Sequence, residues 1–265
     1  MPTRQELVAA LQGYPEALHL RAKASKTSAE LVELDRWYRN DLRDQVRERA
    51  KASNEAESEE GASWLTSEEL SRLMRWKLAR GKWRPRLQDM VATNSSSDLR
   101  AAFSDASVNS DHEAALKDLS KLKAVGPATA SAILALWYPE SEPFMSDEGI
   151  DYAAALEEGE KGKKTKREYT VKAWRTYREE MLERKEQEEW ENVEELEMAI
   201  WAWAVLRKYG ADEAQAVPEV NKQETSVPTK NKDEEKAKRP VKGQKRGAQV
   251  EPDVEASKSK KRKSS

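Results

Sequence analysis

Two stretches of this 265-residue chain have residue types and spacings that could do chemistry. The first centres on Val125-Gly126-Pro127, between a charged, leucine-spaced run (His112 to Leu122) and a small, apolar one (Ala128 to Leu136). Both runs predict short helices. Glycine followed by proline makes a tight link between them, so the second helix starts with unpaired N–H groups at the positive end of its dipole. Such an end takes a phosphate oxygen. Gly126, Ala128 and Thr129 carry the backbone N–H groups that would hold it. The plain alternative is an ordinary helix–helix connection.

The second stretch is Leu70 to Leu87. It carries Arg72, Arg75, Lys77, Arg80, Lys82, Arg84 and Arg86 without one acidic residue, with Trp76 and Trp83 interleaved. On a helical wheel Leu70, Leu73, Met74 and Leu78 share a face, and Arg72, Arg75 and Trp76 lie opposite. Lys77 falls inside the apolar arc, where its stem can pack but its ammonium needs an outlet or a partner. This pattern suits phosphate binding, with tryptophan stacking or wedging against bases. It equally suits a solvated charged face over core tryptophans.

Only helices are expected to position these groups, because no convincing alternation of period two occurs: the fold class is all-α. Residues 1–50 read as helices packing on the body, with Thr27-Ser-Ala-Glu30 spaced as a capping box. Residues 51–63 read as an acidic linker, and 64–209 as the main helical domain. There Thr66-Ser-Glu-Glu69 is a second capping box, which predicts a helix from about Ser67 to Arg80. Gly81 ends it and Pro85 opens the next, Arg86 to Thr93; a cap in Asn94–Ser97 precedes a short helix near Asp98–Phe103. After the hairpin pair, Ser146 or Asp147 reads as an N-cap, with Glu148 complementing the helix dipole. Gly159 to Lys166 is another linker, and Tyr169–Gln187 and Asn192–Tyr209 complete the set with Trp174, Trp190, Trp201 and Trp203. Residues 210–265 lose their aromatic residues and read as a disordered, lysine-rich tail.

Composition narrows the chemistry. With no cysteine there is no disulfide, thiolate metal site or iron–sulfur cluster. Two histidines, His19 and His112, argue against a histidine metal site, so neither metal nor cofactor is expected. No signal core or membrane-length apolar segment is evident, which predicts a soluble intracellular protein. The net charge of −2 hides an asymmetry. Residues 221–265 carry 14 basic and 7 acidic groups, leaving an acidic body whose basic residues are clustered.

The pattern Leu122-x-x-Val125-Gly126-x-x-Thr129-Ala130-x-x-Ile133 resembles the helix-hairpin-helix of DNA-binding proteins, particularly the base-excision DNA glycosylases. Gly81-Lys-Trp-Arg-Pro-Arg-Leu87 stands where those enzymes have Gly-x-Tyr-x-x-x-Ala-x-x-Leu; the aromatic fits and Leu87 replaces the small residue. The resemblance spans roughly 64–155, with weaker helical agreement to about 209. Within the superfamily the chain is most similar to the eukaryotic Amun-like proteins, through residues 76–82 and 123–134.

The resemblance implies a glycosylase-like fold that binds the DNA backbone through the hairpin, with Arg72, Arg75, Lys77, Lys82, Arg84 and Arg86 in support. It also implies a catalytic carboxylate at Asp147, 21 residues after Gly126, stabilising positive charge on the sugar and positioning a water. Asp147-Glu-Gly-Ile150 departs from the family's Asp-x-Asn/His-Val. Bifunctional relatives place a Schiff-base lysine where this chain has Ala128, which implies a monofunctional N-glycosylase without lyase action. The tail cluster Lys258, Lys260, Lys261, Arg262 and Lys263 reads as a nuclear import signal. The resulting expectation is a nuclear DNA-binding protein that excises a base. Its alternative is a non-catalytic nuclear interaction protein that docks a protein partner on Trp190, Trp201 and Trp203.

Overall fold

The computed structural model describes residues 1–55, 65–158 and 166–210. The lysine-rich tail with its import cluster, most of the 159–166 linker and residues 56–63 of the acidic linker lie outside the described residues. Among the described residues all regular structure is helical. The α-helices run α1 (Arg4–Gln12), α2 (Tyr14–Lys23), α3 (Leu31–Arg36), α4 (Arg43–Glu55), α5 (Ser67–Arg80), α6 (Pro85–Val91), α7 (Ser96–Val108), α8 (His112–Leu119), α9 (Pro127–Trp137), α10 (Asp147–Glu158), α11 (Val171–Gln187) and α12 (Val193–Val205). A π-helical turn, Trp37–Leu42, joins α3 to α4, and another, Leu206–Gly210, follows α12.

Local chemistry sets most boundaries. The Thr66 hydroxyl accepts from the Glu69 N–H, and the Glu69 carboxylate accepts from the Thr66 N–H at 2.8 Å, so α5 starts on a complete capping box. Its far end is held by Arg21, whose guanidinium donates to the carbonyls of Arg80 and Gly81. Thr27 does not start a helix. Ser25 caps a short 3-10 turn, Lys26–Ser28, and the Ser28 hydroxyl donates to the Ala79 carbonyl at 2.9 Å. That tie to α5 holds the expected capping box in a turn, and α3 begins only at Leu31. Helix α4 continues to Glu55, into the expected linker, and α7 runs past Phe103 to Val108. Helix α8 stops at Leu119, where reverse turns bring the chain to Leu122.

Two helices lie at the centre. Every residue from Ala128 to Leu136 in α9 is buried, and α12 buries Val193, Leu196, Ala199, Ile200, Trp201, Ala202 and Val205. Helices apolar on most sides belong in an interior. Helices α1, α2, α10 and α11 pack around α12, while α4, α5, α8 and α11 pack against α9. A polar network lies inside this core. Asp35 accepts from the Tyr14 hydroxyl (2.9 Å), the Trp76 indole (2.8 Å) and Arg39 (3.1 Å). Burial pushes the Asp35 carboxyl up, but Arg39 and Arg80 outweigh it and hold the group below the usual carboxylate range. Arg80 and Glu197, each 1% exposed, form a second buried pair at 3.0 Å.

Candidate functional site

The hairpin is fixed from outside by Asn94. Its amide donates to the carbonyls of Val91 (2.8 Å) and Lys123 (3.0 Å), and its Oδ1 accepts from the Lys123 N–H at 2.8 Å. Ala124 then takes a left-handed conformation (φ 63°), which turns the chain toward Val125 and Gly126. Gly126 is the N-cap of α9 with extended backbone, and a Cβ added there would meet nothing within 4 Å. Packing therefore does not demand glycine; the space before it is open to approach. The Gly126 carbonyl accepts from the N–H groups of Thr129 (2.8 Å) and Ala130 (2.9 Å). Thr129 is thus not a free donor, which corrects one expectation: its N–H is used inside the helix and its side chain is buried. The N–H groups of Gly126 and Ala128 have no hydrogen-bond acceptor among the described residues.

Asp147 opens α10, but it does not cap it. Ser146 does: its hydroxyl accepts from the Gly149 N–H at 3.2 Å, and its carbonyl from Ile150 at 3.0 Å. The Asp147 carboxylate is left for other work. It accepts from the Tyr169 hydroxyl at 2.6 Å and pairs with Arg167 at 3.0 Å. Two contacts seat this segment against the hairpin helix and α11. The Met145 N–H donates to Ser131 of α9 (3.0 Å), and the Tyr177 hydroxyl donates to the Phe144 carbonyl (2.8 Å). A Cβ on Gly149 would stand 2.7 Å from that hydroxyl, so glycine is required there by packing. This accounts for glycine in the Asp-Glu-Gly-Ile sequence.

These elements enclose one cleft. Lys77 of α5, Gly81, Lys82 and Arg84 of the following link, Ala128 of α9, Asp147 and Glu148 of α10, and Tyr169 all line it. The free volume is ≈ 30 Å³, enough for water but far too little for a nucleobase. Burial pushes the Lys77 ammonium down to about 8, against the pull of Asp147 and with help from Arg84. Burial also raises the Glu148 carboxyl to about 7, with Asp147 adding to the effect, and one Glu148 oxygen is buried without a hydrogen-bond partner. Glu148 is therefore about half protonated at neutral pH and brings less negative charge than its sequence position suggests. Partial burial and the hydrogen bond to Asp147 raise Tyr169 to about 12. The cleft thus holds a proton acceptor, an amine and an acid whose proton is available near neutral pH.

The basic stretch divides. Lys77, Lys82 and Arg84 face the cleft, and Arg84 lies over the Tyr169 ring at 5.5 Å. Arg86 is exposed on α6. Arg72 sits over Trp37 at 4.4 Å and Arg75 pairs with Glu30 at 2.9 Å; both line a separate groove with Ser71 and Gln88. Trp76 is not available to bases: it is fully buried, stacked on Tyr38 at 3.8 Å. Trp83 is partly buried against the core. Trp190 and Trp201 are also buried, so they offer no docking face, and Trp203 is partly buried. Arg167 and Tyr169, which hold Asp147 from 20 and 22 residues away, carried no local pattern in the sequence. Among the described residues no cluster of side chains suits a metal ion, and no helix is long and apolar enough to cross a membrane. Compared with family models, curated proteins and solved structures, the chain matches none.

Proposed function

We propose that this chain is a nuclear DNA-binding protein of the glycosylase-like class, in which the N-terminus of α9 holds a backbone phosphate and the cleft beside it excises a base. The observation that carries this reading is that Ala128, at the start of α9, and Asp147, at the start of α10, line one cleft with Lys77, Lys82 and Arg84. Phosphate-seeking N–H groups and cations thus stand next to a carboxylate that has no capping duty. As an N-glycosidic bond breaks, its electron pair leaves with the base and positive charge builds on the sugar. A fixed carboxylate stabilises that charge and directs a water to the sugar carbon. Ala128 offers no amine, so the hairpin itself supports hydrolysis alone.

A nucleobase needs more room than ≈ 30 Å³, and Asp147 also lines, with Gly81, Lys82, Glu148 and Arg167, a wider cavity of ≈ 370 Å³ that has the room a flipped nucleotide needs. The import cluster Lys258 to Lys263 supports nuclear delivery. Burial of Trp190 and Trp201 disfavours the alternative of a protein-docking scaffold. The test compares wild type with Asp147→Asn on duplexes carrying a panel of damaged bases, with released base measured by mass spectrometry. The expected loss is on the order of 100-fold or more. Absence of release by wild type from every duplex, or equal release by the variant, refutes the catalytic assignment.

A further inference from the structure

Glu148 takes no part in the proposed excision, yet its setting is not that of a surface carboxylate. It lines both the small cleft and the wider cavity of ≈ 370 Å³. Its own backbone N–H donates to the carboxyl, while Oε2 is buried without a hydrogen-bond partner. An unpaired buried polar atom is costly, and a ligand group that completes its bonding removes that cost.

The rest of the cavity restricts what that group is. Arg21 is engaged by the carbonyls of Arg80 and Gly81, and Arg167 by the carboxylates of Asp147 and Asp151. Lys82 and Lys208 are exposed at the rim and form no ion pair among the described residues. Ala204, Val205 and Tyr209 add an apolar wall. The carboxyl oxygen of Glu148 that takes the backbone N–H acts as acceptor, so in the neutral acid Oε2 carries the proton and is a donor. Apart from the Tyr209 hydroxyl, which serves either way, the free side chains are then donors. The ligand must bring the acceptors.

We infer that Glu148 selects the base in this cavity: the site takes a flat heterocycle that turns a carbonyl oxygen, rather than an exocyclic amine, toward Oε2, with its phosphate on Lys82 and Lys208. The inference rests on the base-excision reading for the source of that heterocycle, a nucleotide extruded from a duplex; a free nucleotide presents the same groups. A site built on a hydrogen-bond donor rejects the analogue that offers another donor, because both are left unpaired.

Protonation makes the choice depend on pH. Burial holds the Glu148 carboxyl near 7, so about nine-tenths is neutral at pH 6 and only a few per cent at pH 8.5. The groups facing it are Asp147 and Asp151 of its own helix, Lys77 and Arg80 of α5, and Lys82 and Arg84 of the α5–α6 link. Arg21 of α2, Arg167 and Tyr169 before α11, and Lys208 and Tyr209 after α12 complete the surroundings. Of these, Asp147 pushes the carboxyl up, while Arg80 and Arg167 pull it down.

The test measures, by calorimetry on the full chain, binding of deoxyuridine and deoxycytidine monophosphates, which are alike in shape and differ at the carbonyl or amine edge. A second arm places either base opposite an abasic site in a duplex, with a 2′-fluoro sugar so that the base stays attached. The basic tail meets both bases alike, so the readout is their ratio. Wild type should prefer uracil by roughly tenfold at pH 6 and lose the preference at pH 8.5. Glu148→Gln should keep it at both, since the backbone N–H holds Oε1 and leaves the amide to donate. Glu148→Met should show none, with circular dichroism verifying that both variants fold. Preference in the duplex arm alone upholds the inference for an extruded base. Preference for the free nucleotide without duplex binding upholds Glu148 as the selector while the base-excision reading falls. Equal binding of the two bases at pH 6 in both arms, or a preference that survives in Glu148→Met, overturns the inference and leaves base excision to its own assay. Binding in neither arm overturns both.

Discussion

Replacing Lys77 with methionine isolates the cost of keeping a cation in the apolar arc of α5. The ammonium shifts from 10.5 to about 8 on folding. At 1.36 kcal/mol per pH unit, this gives a ceiling of roughly 3 kcal/mol. The residue keeps some exposure to solvent, which screens the cost to about 1–2 kcal/mol. The sign follows from proton counting. Between pH 8 and 10.5 the unfolded chain binds more protons than the folded one, so stability rises with pH across that window. The penalty is therefore fully present below 8 and absent above 10.5. Methionine has a similar shape and no charge, so Lys77→Met should be more stable than wild type by about 1–2 kcal/mol at neutral pH. The gap should close as pH rises through the same window. Urea unfolding of both proteins across the alkaline range measures it. A gap that is constant with pH, or a variant less stable than wild type at neutral pH, shows that Lys77 is paired and refutes the reasoning.

Glu148 should behave as the mirror image. Its carboxyl rises from 4.5 to about 7 on folding, so the folded chain binds more protons in that window and stability falls as pH rises through it. Glu148→Gln should gain about 1–3 kcal/mol above neutral pH and nothing near 4.5, read by urea unfolding at both ends of the window. An equal gain at both ends contradicts the assignment. Gly149→Ala should lose about 1–3 kcal/mol, because the added methyl stands 2.7 Å from the Tyr177 hydroxyl. Adding Tyr177→Phe should recover part of that loss, and a double mutant with no recovery places the strain elsewhere.

The sequence was most informative where a local rule dictated structure. Thr66 with Glu69, Gly81, and the apolar run from Ala128 each marked a helix end that the structure keeps. It was least informative where tertiary packing decides. Thr27 has the spacing of a cap, yet the Ser28 hydroxyl is drawn to the Ala79 carbonyl and the segment turns instead. The helical wheel placed Trp76 opposite the apolar face of α5. Both faces are covered, however, and Tyr38 and Asp35 receive the indole. The basic stretch looked continuous, but its helical phase sends Arg72 and Arg75 to one groove and Lys77 to another. The anomaly of Lys77 in an apolar arc was visible beforehand. What it faces was not, because Asp147 comes to it from 70 residues away.

The central claim is that the N-terminus of α9 holds a DNA phosphate beside the cleft, and Gly126→Asp tests it most directly. No atom stands within 4 Å of the added Cβ, so the hairpin accommodates the residue while its carboxylate meets the phosphate. The measurement is duplex binding at two salt concentrations by the chain ended after residue 212, which removes the basic tail. The account predicts binding by the parent that weakens with salt, and a loss of roughly tenfold or more in the variant with its helical content unchanged. Equal binding by the two proteins, or none by the parent, contradicts it.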